Sequence, residues 1–213
     1  MWHYGIQLPK TLDNAEAQLG GKFIGINAGV TRLSDLERVF KETSEMVGKI
    51  DVIVANAGGA VTGAAFGSVA ATIEADYDLT MDLNLKSVYF TVNKALPYMN
   101  DGGSVILIGS NAAHRAHASF SVYAASKAAV IHFAKGFLND LLHRRIRVNV
   151  ISPGTTDTPV FDRFVPVDQL VAVKKYWGDV CRLAGSGSHL KLVKQRFFWL
   201  PTILLLYFLL NSL

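Results

Sequence analysis

The chain has 213 residues, of which 50% are hydrophobic and 18% charged, with a formal net charge of +4. Such a chain can bury one sizeable core, which excludes a disordered or fibrous protein and predicts one α/β domain. Part of the basic excess lies in Arg144, Arg145 and Arg147. These residues follow a predicted helix, where cations suit the helix dipole, so we expect no nucleic-acid site. The single cysteine, Cys181, excludes an internal disulfide.

Strands alternate with helices along the chain, which is the pattern of an α/β fold. Short apolar runs rich in β-branched residues indicate buried strands, and longer segments with apolar residues at helical spacing indicate helices. The turn signal Asp101-Gly102-Gly103 marks the start of one strand. The predicted elements are a strand at 23–27, a helix at 33–46, a strand at 50–55, a helix at 76–99, a strand at 104–109, a helix at 121–143 and a strand at 146–151.

Ser110, Tyr123 and Lys127 form the most informative pattern. Tyr123 and Lys127 are four residues apart on a predicted helix, which places them on one face. Ser110 lies thirteen residues before Tyr123, at the end of a predicted buried strand. These three side chains can converge on one small volume, where a cation beside the phenol would lower its pKa from about 10. The chemistry that this suits is proton transfer to or from an alcohol oxygen.

Three further motifs accompany that pattern. Asn56-Ala57-Gly58-Gly59 follows an apolar strand, Asn84 lies inside a predicted helix, and Pro153-Gly154 follows the last predicted strand. Each also has an ordinary structural interpretation. Asn56 would brace adjacent strands, Asn84 would be a polar residue against a loop, and Pro153-Gly154 would be a simple turn.

Taken together in this order and spacing, the motifs resemble those of the short-chain dehydrogenases/reductases from about Gly5 to Phe164. The resemblance implies a Rossmann-like, doubly wound parallel sheet and hydride transfer between NAD or NADP and a ketone or secondary alcohol, with sugars and polyols among the candidates. It implies that Tyr123 is the acid/base, Ser110 polarises the substrate oxygen, Lys127 lowers the tyrosine pKa and holds the ribose, and Asn84 keeps a proton-relay water. The cofactor-binding residues that it implies are Asn56, Ala57, Gly58, Tyr123, Lys127, Pro153, Gly154, Thr156 and Thr158.

The sequence departs from the family pattern at both ends. It contains no glycine-rich turn of the form T-G-x-x-x-G-x-G, and its first residues resemble the family's second strand. We therefore expect a sheet that lacks the first βα unit and the usual last strand, with a vacant edge beside the strand at 50–55. Weak dinucleotide binding, and with it weak or absent oxidoreductase activity, would follow, because the missing turn holds the pyrophosphate. Gly29 stands where relatives usually carry an aspartate that contacts adenine.

The sequence therefore also allows a second class of function, in which the chain is not an active enzyme. The chain would then be an inactive relic or a dimerisation partner of intact paralogues, through the helices that carry Asn84 and Tyr123. Ala124, Ala125, Ala128 and Ala129 would permit close helix packing.

The division into domains is predicted as an incomplete Rossmann-like domain at 1–164 and a divergent C-terminal segment at 165–213 that includes an apolar tail at 197–213. The short stretch Gly185-Ser186-Gly187-Ser188 separates the globular part from the tail. Three interpretations of the tail compete. In order of preference they are translated non-coding sequence, packing on the bare sheet edge, and a membrane anchor. The anchor ranks last because the fourteen residues 197–210 would span only about 21 Å as a helix, less than the hydrocarbon core of a bilayer. No signal peptide is visible at the N-terminus, so a cytoplasmic location is expected, with a tail-anchored protein as the alternative.

His114 and His117 lie in the loop after Ser110, but two histidines without a third ligand predict no metal site. The segment 5–9, which would choose between NAD and NADP, contains neither an acidic residue nor an arginine. The cofactor choice and the substrate therefore stay open at the level of sequence.

Overall fold

The computed structural model describes residues 24–59, 67–116, 118–154, 167–183 and 203–206, with side chains described through residue 176. Helices and strands alternate along these ranges. A π-helical segment, Asp82–Lys86, joins two of the helices into one continuous rod. The elements are α1 (Leu33–Val47), β1 (Ile50–Ala55), α2 (Glu74–Met81), α3 (Ser87–Ala95), β2 (Met99–Ile108), α4 (Ser121–Leu141), β3 (Arg147–Ile151), α5 (Leu170–Leu183) and β4 (Ile203–Leu206).

The four strands form one sheet in the order β3-β2-β1-β4. All three pairings are parallel. The register places Ile53 of β1 opposite Val105 of β2 and Leu204 of β4. Val105 in turn lies opposite Val148 of β3. The predicted Rossmann-like α/β fold with a parallel sheet is confirmed.

Helices α3 and α4 are the crossovers between these parallel strands. Helix α3 packs against β1 and β2, helix α4 packs against β2 and β3, and α1 packs beside α3. The core lies between this row of helices and the sheet, because each contributes fully buried apolar side chains. Its largest members include Phe40 and Leu36 of α1, Ile53 of β1, Leu107 of β2 and Val130 of α4.

Strand β2 begins five residues earlier than predicted, at Met99 rather than Ser104. Ile50 pairs with Met99, but Val52 pairs with Ser104, so the residues between bulge out of the ladder. Gly102 takes a φ of +79° there, a conformation that glycine adopts without steric cost. The turn signal at 101–103 therefore lies within the strand as a bulge instead of preceding it.

The strand predicted at 23–27 is wrong over the part that the structure describes. Residues 24–27 have no ladder partner and are not in a strand, while residue 23 lies outside the described residues. An apolar run becomes a strand only when it gains a ladder partner, and the sheet β3-β2-β1-β4 does not include these residues. The remaining predicted helices and strands are confirmed within a few residues of their predicted bounds.

The edge of β1 that was expected to be vacant is occupied by β4, which comes from the apolar tail. This pairing agrees with the second-ranked interpretation, in which the tail packs on the bare sheet edge, whereas the preferred interpretation, translated non-coding sequence, stays a prediction. An unpaired parallel edge exposes backbone N–H and C=O groups, which is the physical reason for pairing. No helix in the described ranges is both long enough and apolar enough to cross a membrane. The segment 185–188 and the remainder of the tail lie outside the described residues.

Candidate active site

Ser110 lies just beyond the carboxyl end of β2, where the chain leaves the sheet. Its side chain accepts a hydrogen bond of 3.2 Å from the backbone N–H of Ala112 and so caps the 3-10 turn Asn111–Ala113. Ser110 is buried. A capped turn holds this hydroxyl at a fixed place at the edge of the sheet.

Tyr123 lies in the first turn of α4 and points toward that place. Its phenol lies close enough to the side chain of Ser110 for the serine to act on the phenol's pKa. Burial raises the pKa of Tyr123, because the phenolate loses its hydration, and the neighbouring Ser110 side chain opposes that rise. The ring of Phe120 packs edge-on against the tyrosine ring at a centroid distance of 6.3 Å.

Lys127 follows Tyr123 by one helical turn and is 3% exposed. Its Nζ donates a 2.9 Å hydrogen bond to the backbone oxygen of Ile108, the last residue of β2. Burial lowers the pKa of Lys127 from 10.5 to about 8. The expected lowering of the Tyr123 pKa by Lys127 is not seen, because burial has the larger effect on the phenol and raises its pKa.

Asn84 fixes the loop after β1. The asparagine is fully buried in the π-helical segment. Its Oδ1 accepts from the N–H of Gly59 at 2.8 Å, and its Nδ2 donates to the oxygen of Gly59 at 2.9 Å. The side chain thus satisfies both backbone polar groups of one residue, Gly59, as an adjacent strand would do.

Gly58 brings this loop against the lysine. Its φ is +148°, and a Cβ added there would lie 2.8 Å from Asn84 Oδ1 and 3.1 Å from Lys127 Nζ. Only glycine fits so close an approach without strain. The loop Asn56–Gly59, Asn84 and Lys127 therefore form one packed unit beside the carboxyl ends of β1 and β2.

The segment after β3 closes the other side. The N–H of Asn111 donates to the oxygen of Pro153 at 2.9 Å, next to Ser110. A Cβ at Gly154 would lie 3.7 Å from the side-chain nitrogen of Asn111. Pro153 and Gly154 therefore stand beside the serine, whereas Thr156 and Thr158 lie outside the described residues.

Two other predicted positions are peripheral. His114 is exposed, and His117 lies outside the described residues. Among the described residues no group of three or more potential metal ligands occurs. Gly29 donates through its N–H to Asp35 at 2.7 Å, and this hydrogen bond is the main reason why the Asp35 pKa is lowered.

Sequence reasoning missed two partners in the site, both of them backbone groups. They are the backbone oxygen of Ile108, which accepts a hydrogen bond from Lys127, and the N–H and C=O groups of Gly59, which Asn84 binds. Backbone partners leave no signal in residue type. A polar residue in the middle of a helix was the one available indication for Asn84.

The residues present fit a dinucleotide's ribose. An ammonium has three donors. Among the described residues the one hydrogen bond of Lys127 is that to Ile108, so its other donors are available to the hydroxyls of a ligand. A buried cation with unused donors, beside a loop held by Asn84, suits a polyhydroxylated group.

Comparison with known proteins agrees with this arrangement. The sequence profile of the short chain dehydrogenase family matches residues 6–167. The chain belongs to the short-chain dehydrogenase/reductase family. This family consists of oxidoreductases, and its members generally bind NAD or NADP.

Three relatives illustrate the likeness. A hydroxynaphthalene reductase-like protein, Arp2, of Metarhizium brunneum is 33% identical over 147 residues, which are 68% of this chain and 54% of that protein. A short-chain dehydrogenase/reductase from Serratia marcescens is 31% identical, with a TM-score of 0.66 over 74% of this chain and 63% of that one. A short-chain dehydrogenase from Burkholderia cenocepacia, solved in complex with NADP, is 30% identical, with a TM-score of 0.66 over 75% of this chain and 64% of that one.

The chain spans about half the length of the Metarhizium protein and less than two thirds of the Serratia structure. The match covers the region that contains Asn84, Ser110, Tyr123 and Lys127. The predicted division at residue 164 stays a prediction.

Proposed function

We propose that this short-chain dehydrogenase/reductase is an NAD- or NADP-dependent oxidoreductase that interconverts a ketone and a secondary alcohol, with sugars and polyols among the candidate substrates. The observation that carries the proposal is the proximity of the Tyr123 phenol to the Ser110 side chain, one helical turn from the buried ammonium of Lys127. A raised pKa keeps Tyr123 protonated at neutral pH, so the phenol is ready to donate a proton.

In the proposed reaction Tyr123 moves the proton to or from the substrate oxygen. Ser110 helps to orient that oxygen, because its side chain lies beside the phenol. Lys127 places positive charge at the site and favours the phenolate once the proton has left. The nicotinamide, when bound, supplies or accepts the hydride.

The residues that would hold the cofactor come from three loops at one edge of the sheet. Lys127 would donate to the ribose hydroxyls, Gly58 would let the backbone approach the ribose, and Pro153 would lie against the nicotinamide. Asn56, Ala57 and Gly154 belong to the same loops, and the remaining proposed cofactor residues are Tyr123, Thr156 and Thr158. We still predict weak dinucleotide binding, because the glycine-rich turn that would hold the pyrophosphate is absent from the sequence.

Replacing Tyr123 tests the proposed role of the phenol. The Tyr123→Phe variant should lose about 10²–10⁴-fold in NADPH- or NADH-dependent carbonyl reduction, because the proton donor is removed while the ring stays. Tyr89→Phe is the matched control, since Tyr89 packs in the aromatic contact between α3 and α4. Unchanged turnover in Tyr123→Phe, with both variants folded by circular dichroism, would contradict the role of Tyr123.

A second candidate function is supported by the outer surface of α3 and α4. Tyr89 is 40% exposed, and its ring lies 5.4 Å from that of Phe133. Ala125 and Ala128 are exposed on α4. This surface has apolar side chains and small residues, which suits self-association or pairing with a paralogue. In that role the chain would act as an inactive assembly partner. A cytoplasmic location suits either role.

A further inference from the structure

Strand β1 is buried as a central strand of a parallel sheet is buried. Ile50, Val52, Ile53, Val54 and Ala55 are each at most 9% exposed, and only Asp51 among its residues is partly exposed. Near-continuous apolar composition is typical of strands in a parallel sheet that is covered on both faces. One edge of β1 pairs with β2, so the backbone N–H and C=O groups at its other edge need a second partner.

The occupant in the structure is β4, which is Ile203–Leu206 of the same chain. Its pairing with β1 is parallel and unbroken over four positions, from Val52 opposite Ile203 to Ala55 opposite Leu206. The sequence of β4, Ile-Leu-Leu-Leu, has the composition of a buried parallel strand. The match therefore exists both in the register and in the residue types.

We propose that β4 takes the position that the first strand has in a doubly wound sheet, and that the apolar tail completes this sheet in cis. In the strand order 3-2-1-4-5-6 the first strand pairs with the fourth, which here is β1. Strand β4 pairs with that same edge and runs in the same parallel sense. Residues that form a sheet strand cannot at the same time form a membrane-spanning helix.

The tail strand also ends beside the candidate active site. Leu206 lies opposite Ala55, the residue directly before the loop Asn56–Gly59. That loop is bound by Asn84 and packs on Lys127. The edge that β4 protects is thus continuous with the loop that would meet the cofactor, so loss of β4 should loosen this loop as well as β1.

A disulfide cross-link tests the register in the full-length chain. Cysteines form a disulfide when their Cα atoms are about 4.4–6.8 Å apart, and neighbouring positions of a strand alternate between faces of the sheet. In a Cys181→Ser background, the pair Ile53→Cys and Leu204→Cys should form an intramolecular disulfide under mild oxidation. The pair Ile53→Cys and Leu205→Cys is the control and should form far less. No disulfide in the first pair, or a disulfide only between two chains on a non-reducing gel, would overturn the proposal.

Hydrogen–deuterium exchange gives a second readout that does not require new cysteines. Successive residues of a strand direct their N–H groups to alternate edges, so the double variant Leu204→Pro with Leu205→Pro removes a ladder donor in either register. We expect at least about tenfold faster exchange in Asp51–Ala55 and in the loop 56–59, with α4 unchanged. A Leu209→Pro variant, outside β4, should leave these segments protected. Equal protection of β1 in both variants would overturn the proposal.

Discussion

Gly58 is the residue whose replacement most directly tests the packing of the loop on Lys127. Its φ of +148° is strained for any L-residue, and the new methyl group of alanine would meet Asn84 Oδ1 at 2.8 Å. We expect Gly58→Ala to lower the free energy of unfolding by about 1–3 kcal/mol, measured by urea denaturation.

The neighbouring glycine provides the control for that variant. A Cβ at Gly59 would meet no atom within 4 Å. Gly59→Ala should therefore change the free energy of unfolding by no more than about 0.5 kcal/mol. Equal destabilisation by the two substitutions would show that the close approach at Gly58 does not constrain the loop.

Lys127 makes stability depend on pH in a defined window. Its pKa is about 8 in the folded chain and 10.5 as a free side chain. Below about pH 8 the folded state must bury the charge, whereas above pH 10.5 the lysine is neutral in both states. The free energy of unfolding should therefore rise between pH 8 and 10.5, by an amount on the order of 3 kcal/mol.

Urea denaturation at several pH values measures this contribution. Lys127→Met should flatten the rise, and Lys135→Met, an exposed lysine on the same helix, should retain it. The raised pKa of Tyr123 acts in the opposite sense, because stability from a raised acid pKa is lost only as pH climbs above 10. A rise that persists unchanged in Lys127→Met would mean that the lysine is not buried in its charged form.

At the level of elements, the outer surface of α3 and α4 determines whether the chain associates. Ala128 is exposed on α4, and an arginine there would place a long charged side chain on the proposed contact. We expect Ala128→Arg to shift sedimentation from oligomer to monomer at micromolar protein. Ala70→Arg, at an exposed alanine in the turn before α2, should not do so. A wild-type chain that is monomeric at all concentrations would contradict the second candidate function.

The elements that sequence predicted well are those with a local cause. Helix α4 and strand β1 have strong apolar patterns, and their bounds lie close to the predicted ones. The strand at 23–27 and the start of β2 were wrong because pairing decides them. A ladder partner is a non-local condition, and the bulge at 101–103 arises where the register between β1 and β2 shifts.

The candidate site divides in the same way. The convergence of Ser110 and Tyr123 could be predicted because it follows from one strand end and one helix turn. The direction of the Tyr123 pKa shift could not be predicted, because it depends on how far the assembled loops bury the phenol. Likewise, the clamp of Asn84 on Gly59 joins residues 25 positions apart through backbone groups.

For the whole molecule, β4 changes how the sheet is understood. A sheet ending at β1 would expose the edge of its most apolar strand. With β4 in place, both β1 and β2 are central strands, and the loops that follow them form the candidate site. The stability of the sheet and the order of the site are therefore expected to fail together when the tail is disrupted.

The central claim, that this site binds a nicotinamide dinucleotide through Lys127, is tested most directly by titrating the purified chain with NADPH and with NADH. Nicotinamide fluorescence reports binding, and Lys127→Ala and Lys135→Ala are titrated in parallel. We predict saturable binding of one or both dinucleotides, weakened about tenfold or more by Lys127→Ala, since a hydrogen bond to a charged donor is worth about 1.5–3 kcal/mol, and unchanged by Lys135→Ala. Absence of saturable binding by the wild-type chain, or equal affinity in Lys127→Ala, would contradict the claim.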